Sequence, residues 1–81
     1  MKKYIFVVYS KSGCPACSKL KEILSIVNPE HVIYTLGEHF AVDDFYSEFG
    51  KNATFPQIIC NSEKLGGLKE FIKFFKENNI C

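Results

Sequence analysis

The stretch from residue 4 to residue 27 constrains the fold of this chain more than any other. Tyr4-Ile5-Phe6-Val7-Val8-Tyr9 is a continuous β-favouring run, the pattern of a strand buried on both faces. Ser10 to Gly13 make a short polar loop. Pro15 then stands where a first helical residue belongs, with φ pre-set and no N–H to satisfy. Leu20, Ile23, Leu24 and Val27 recur at helical spacing up to an Asn28-Pro29 stop. A strand that enters a helix through so short a turn begins a β-α-β unit, and Cys14 and Cys17 lie at that turn.

The rest of the chain completes the pattern. His31 to Leu36 reads as a second strand, giving a right-handed parallel crossover. From Ala41 to Phe49, Val42, Phe45 and Phe49 share one helix face, and Gly50 follows as a C-terminal cap. Gln57 to Cys60 is a third strand, Asn61-Ser62 a turn, and Glu63 to Leu65 a short fourth strand. Gly66-Gly67 opens a last helix with Leu68, Phe71, Ile72 and Phe75 inward. The expected order is β-α-β-α-β-β-α: an α/β fold with one mixed four-stranded sheet flanked by three helices. A length of 81 residues, without linkers or repeats, predicts a single domain over 1–81.

Composition narrows the function. Ten basic residues against nine acidic leave a net charge of +1, which supplies no field for a nucleic-acid or membrane-surface partner. The N-terminal apolar run is too short for a signal segment, and no stretch reaches the roughly 20 apolar residues of a spanning helix. The expectation is a cytoplasmic monomer. Four cysteines in a short chain can form a secreted disulfide framework, but here two make a CxxC, one lies in a strand and one is the last residue. In a reducing compartment a CxxC is catalytic or metal-binding rather than structural.

A thiol pair at this spacing can close a disulfide and reopen it. The attacking species in that exchange is the thiolate. At the start of a helix, unpaired N–H groups and the macrodipole favour an anion by roughly 0.3–2 kcal/mol. Hydrogen bonds from the amides of Ala16 and Cys17 add to this, and Lys11 supplies a nearby positive charge. Cys17, one turn further in and more enclosed, is expected to be the less acidic thiol. The expected roles are attack by Cys14 and resolution by Cys17. The other reading is half a zinc site, but a full site takes four ligands. Cys60, Cys81, His31 and His39 offer no second pair at metal-ligand spacing, so no metal is assigned. Cys60 reads as a buried, inert thiol and Cys81 as a terminal bystander.

Three separated motifs now agree. Lys11-Ser12-Gly13-Cys14-Pro15-Ala16-Cys17 is similar to a K-x-x-C-P-x-C active site, Thr54-Phe55-Pro56-Gln57-Ile58 to a T-V-P-Q segment followed by Ile or Val, and Gly66-Gly67 to a Gly-Gly before the last helix. In these the chain resembles the glutaredoxins, of the dithiol C-P-x-C type. The resemblance implies a thioredoxin-like fold and an enzyme that reduces protein disulfides and glutathione mixed disulfides, with glutathione as co-substrate and no bound cofactor. Disulfide-containing or glutathionylated proteins, a ribonucleotide reductase among them, are the implied partners. It further implies a cis bond before Pro56, which leaves the Phe55 backbone free to pair with the cysteinyl part of glutathione as in strand addition. Lys11 would face the glycine carboxylate, and Thr54 would hold the loop or touch the ligand. Gly67 would admit the γ-glutamyl end, or permit the turn.

Two motifs depart from the family pattern. Ala16 replaces a common tyrosine and removes an aromatic wall and a hydroxyl. Leu68-Lys69 replaces a common Cys-Asp, which leaves Glu70 or backbone N–H groups to meet the γ-glutamyl end. Two further readings follow: a glutathione-ligated iron–sulfur carrier using one Cys14 from each of two chains, and a thioredoxin-like donor recharged by a reductase. Cys17 and Pro15 count against the carrier, and Pro15-Ala16 with no Trp before Cys14 against a thioredoxin proper.

Overall fold

The computed structural model describes residues 4–78. They form β1 (Ile5–Ser10), α1 (Pro15–Val27), β2 (Glu30–Thr35), α2 (Val42–Phe49), β3 (Gln57–Cys60), β4 (Glu63–Gly66) and α3 (Leu68–Asn78), in the expected order. The sheet order is β2-β1-β3-β4. β1 runs parallel to β2, with Val7 opposite Val32, and antiparallel to β3, with Val8 opposite Ile58. β3 and β4 are antiparallel, with an irregularity between Ile58 and Ile59. This is the mixed four-stranded sheet that the element order predicts, in the thioredoxin-like arrangement that the resemblance implies.

Turn chemistry fixes the boundaries. Asn28 ends α1 in the left-handed region at φ 52°, and its N–H donates to the Leu24 carbonyl at 2.8 Å. Asn61 and Ser62 both take positive φ, 49° and 74°, as a two-residue hairpin of the primed type demands. The Asn61 side-chain oxygen accepts from the Ile5 N–H at 2.9 Å, which ties this hairpin to the start of β1.

The main core lies between the sheet and α1 with α3. Phe6, Val8, Ile58 and Cys60 from the strands meet Leu20 and Leu24 of α1 and Phe71 and Phe75 of α3. Each large side chain buried there contributes about 1.5–3 kcal/mol. The opposite face carries an aromatic cluster. Tyr9 lies 5.1 Å from both Phe40 and Phe49, and Phe45 stacks on Phe55 at 4.1 Å.

That second face is where the expectation for β1 fails. Burial alternates along the strand: Phe6, Val8 and Ser10 are fully buried, while Ile5 is 39% exposed. The reason is length. Eight helical residues span about 12 Å, against roughly 20 Å for a six-residue strand, so α2 cannot cover the whole face. Val42, expected inward, is also exposed, because it sits in the first turn at the helix end. β2 begins at Glu30, one residue early, and β4 takes in Gly66.

At the end of the molecule away from Ser10, the Tyr4 hydroxyl donates to the Asn78 side-chain oxygen at 3.4 Å, so β1 starts where α3 finishes. No helix of the described residues is long and apolar enough to cross a membrane.

Candidate active site

Chemistry gathers where β1 hands over to α1. Cys14 is the N-cap of α1, at φ −108° and ψ 109°, and Pro15 is the first helical residue. A capping side chain accepts from an otherwise unpaired amide of the first turn, usually through oxygen. Here sulfur takes that place: the Cys17 N–H donates to the Cys14 Sγ at 3.2 Å. The same Sγ lies 3.9 Å from the Phe55 carbonyl oxygen, a weak S–H···O contact to the loop before β3. The Phe55–Pro56 bond in that loop is cis, and Pro56 is buried.

The two thiols are both free and differ in their surroundings. Cys14 keeps 8% of its surface exposed and Cys17 2%. Burial pushes the Cys17 thiol from its ordinary 9.0 up to about 11, helped by its hydrogen bond with Cys14 and opposed by a backbone hydrogen bond with Lys11 and by the Lys21 charge. A thiol whose folded pKa is raised is favoured in its neutral form by the fold. Its contribution to stability is therefore complete below pH 9 and lost as pH rises through 11. We expect the urea midpoint of the protein to fall between about pH 9 and 11 more steeply than that of Cys17→Ala. Parallel curves for the two proteins would contradict the assignment.

Around Cys14 lies an open groove of about 550 Å³, lined among others by Lys11, Ala16, Tyr46, Thr54 and Phe55. That size suits a peptide-sized ligand. The Lys11 ammonium sits 5.2 Å from the centre of the Phe55 ring, which Phe45 backs at 4.1 Å and 13°. Thr54 is exposed, and its carbonyl accepts from the Gln57 side chain at 2.9 Å.

Of the expected site residues, Lys11, Cys14, Thr54 and Phe55 thus face one groove. Cys17 lies behind Cys14, and Pro56 lies buried beside Phe55. Gly67 adjoins the Pro56 carbonyl: a Cβ there would sit 3.5 Å from that oxygen, an ordinary contact. The turn does not need glycine at 67. It needs it at 66, where φ is +118° and a Cβ would come within 2.8 Å of the Glu70 side chain. The Gly67 N–H donates to the Glu70 carboxylate at 2.8 Å, so an acid of the first turn of α3 satisfies the amide just before the helix.

Tyr46 and Ala53 also line the groove, and the motifs do not mark them. Tyr46 follows the buried Phe45 on α2, so helical periodicity places it off the core face. Its site role depends on where α2 docks. Cys60 lies apart, 5% exposed on β3, with burial and then Glu63 raising its pKa. Cys81 is outside the described residues. Among the described residues, no group of three or more His, Cys, Asp or Glu is placed to hold a metal.

The glutaredoxin family model matches residues 6–65, a span that runs from β1 through the thiol pair and the cis-proline loop to β4. The chain belongs to the glutaredoxin family. It is 28% identical over 79 residues to glutaredoxin 1 of Escherichia coli, covering 89% of this chain and 93% of that protein. It is 32% identical over 69 residues to glutaredoxin-1 of Rhizophagus irregularis, covering 82% and 68%. Its fold is similar to that of buckwheat glutaredoxin in a crystal structure with glutathione, at a TM-score of 0.75 and 19% identity over 93% of this chain and 71% of that one. This glutaredoxin is a thiol–disulfide oxidoreductase.

Proposed function

We propose that this glutaredoxin reduces protein disulfides and glutathione mixed disulfides at the expense of glutathione, with Cys14 as nucleophile and Cys17 as resolving thiol. The observation that carries the reading is the contrast between the sulfurs. Cys14 sits at the groove, accepting an amide N–H at 3.2 Å. Cys17 is enclosed behind it with its thiol pushed up to about 11.

The Cys14 thiolate attacks the glutathione sulfur of a glutathionylated cysteine. A bond forms between Cys14 and the glutathione sulfur, the old S–S bond breaks, and the target leaves as a thiolate that takes a proton from water. A second glutathione thiolate then attacks the mixed disulfide, releasing oxidised glutathione and the Cys14 thiolate. On a protein disulfide, Cys17 instead loses its proton and attacks the Cys14 sulfur, which leaves a Cys14–Cys17 disulfide and a reduced target. Two glutathiones then restore the dithiol.

In this scheme the Phe55 backbone beside Cys14 pairs with the cysteinyl part of glutathione, with Pro56 shaping that loop. Lys11 meets the glycine carboxylate, and Thr54 flanks it. Gly67 stands at the γ-glutamyl end. The whole chain, 1–81, acts as one domain in the cytoplasm, where the glutathione pool supplies electrons. Protein partners are chosen by an accessible disulfide or glutathionyl group, as on an oxidised ribonucleotide reductase.

The test is reduction of a small glutathione mixed disulfide, coupled to glutathione reductase. Wild-type rate is expected to rise with glutathione concentration. Absence of glutathione-supported turnover, in a protein whose Cys14–Cys17 disulfide dithiothreitol still reduces, would replace this reading with a donor recharged by another protein.

A further inference from the structure

We propose that Tyr46 is the wall of the groove facing the glutathionyl part of the substrate, and that it sets the preference for glutathionyl over simpler disulfides. The inference rests on the glutathione reading above and assigns a specificity residue within it.

Beside Cys14, the groove is lined by Ala16, whose methyl group leaves space where a substrate would extend beyond its sulfur. Tyr46 lines the same groove from α2 and is 38% exposed, so its ring is open to a ligand there. The ring has an aromatic neighbour at its base. It meets Phe45 edge-on at 5.4 Å and 75°, and Phe45 is 1% exposed and stacked on Phe55. The Phe55 carbonyl is the group beside the Cys14 sulfur. The Tyr46 carbonyl accepts from the Gly50 N–H at 2.9 Å, which places the ring in the last turn of α2. An aromatic ring at Tyr46, a cation at Lys11 and a hydroxyl at Thr54 therefore share one groove with the nucleophile. A tripeptide offers that set flat peptide groups to lie against the ring and a carboxylate for the cation. A disulfide without a peptide offers neither.

The experiment measures how fast the reduced protein, without added glutathione, reacts with oxidised glutathione and with bis(2-hydroxyethyl) disulfide. In both reactions the Cys14 thiolate joins one sulfur and expels the other as a thiolate. Wild type is expected to prefer oxidised glutathione. Tyr46→Ala is expected to cut the ratio of the two rates about two- to twelvefold, the size of one aromatic contact. Tyr46→Phe should keep most of it, and Ala16→Tyr added to Tyr46→Ala should recover it by placing a ring on the same groove. An unchanged ratio in Tyr46→Ala, or no recovery on adding Ala16→Tyr, overturns the proposal. A wild type without preference overturns the glutathione reading itself, so the two failures are distinguishable.

Discussion

Cys14→Ser is expected to lower glutathione-dependent reduction of a small mixed disulfide to the uncatalysed background, whereas Cys17→Ser stays active on it. A serine hydroxyl is a weak nucleophile unless a base takes its proton, and neither His31 nor His39 lines the groove. Cys17 cannot stand in. It is 2% exposed, and burial holds its thiol protonated up to about pH 11. Cys17→Ser keeps the nucleophile, and its backbone N–H still reaches the Cys14 sulfur. It should fail selectively on protein disulfides, where a second protein thiol must resolve the intermediate. Coupled assays of both variants on both substrate types decide the matter. Turnover surviving in Cys14→Ser would remove the nucleophile assignment.

Phe45→Ala is expected to have the largest effect on stability outside the main core. Its ring is 1% exposed, stacked on Phe55 at 4.1 Å, and in contact with Phe40, Tyr46 and Phe49. Truncating a buried phenylalanine costs about 3–5 kcal/mol. Small domains hold about 5–15 kcal/mol in all, so the variant should unfold roughly 12 °C or more below wild type. Activity should fall as well, because Phe45 backs the loop whose carbonyl sits beside the Cys14 sulfur. Phe45→Leu, which keeps most of the volume, should lose much less. Thermal and urea unfolding test this, and a loss below about 1 kcal/mol in Phe45→Ala would mean that the aromatic face contributes little to folding.

Sequence and structure agree where chemistry is local. Pro15 after Cys14, Asn28 before Pro29, and the Asn61-Ser62 pair each specify a backbone conformation through their own side chains, and each sits where the sequence puts it. The thiol pair and the proline loop are legible for the same reason, as short motifs with fixed spacing. What the sequence hides depends on how elements pack. Ile5 belongs to an apolar run, yet its exposure follows from how short α2 is. Tyr46 carries no motif, and its place in the groove follows from where α2 lands. Gly66 and Gly67 look alike as letters, and only φ separates the one the turn requires from its neighbour.

The meeting of Tyr4 and Asn78 has a consequence for how this domain can be combined with others. Its first strand and last helix end side by side at the pole opposite the thiols. A fusion partner, a host loop or a tandem copy attached there leaves the groove open. The closeness of Tyr4 and Asn78 is also what a circular permutation joining these two positions needs. Any such addition approaches from one pole, while Cys14 and its groove lie at the other.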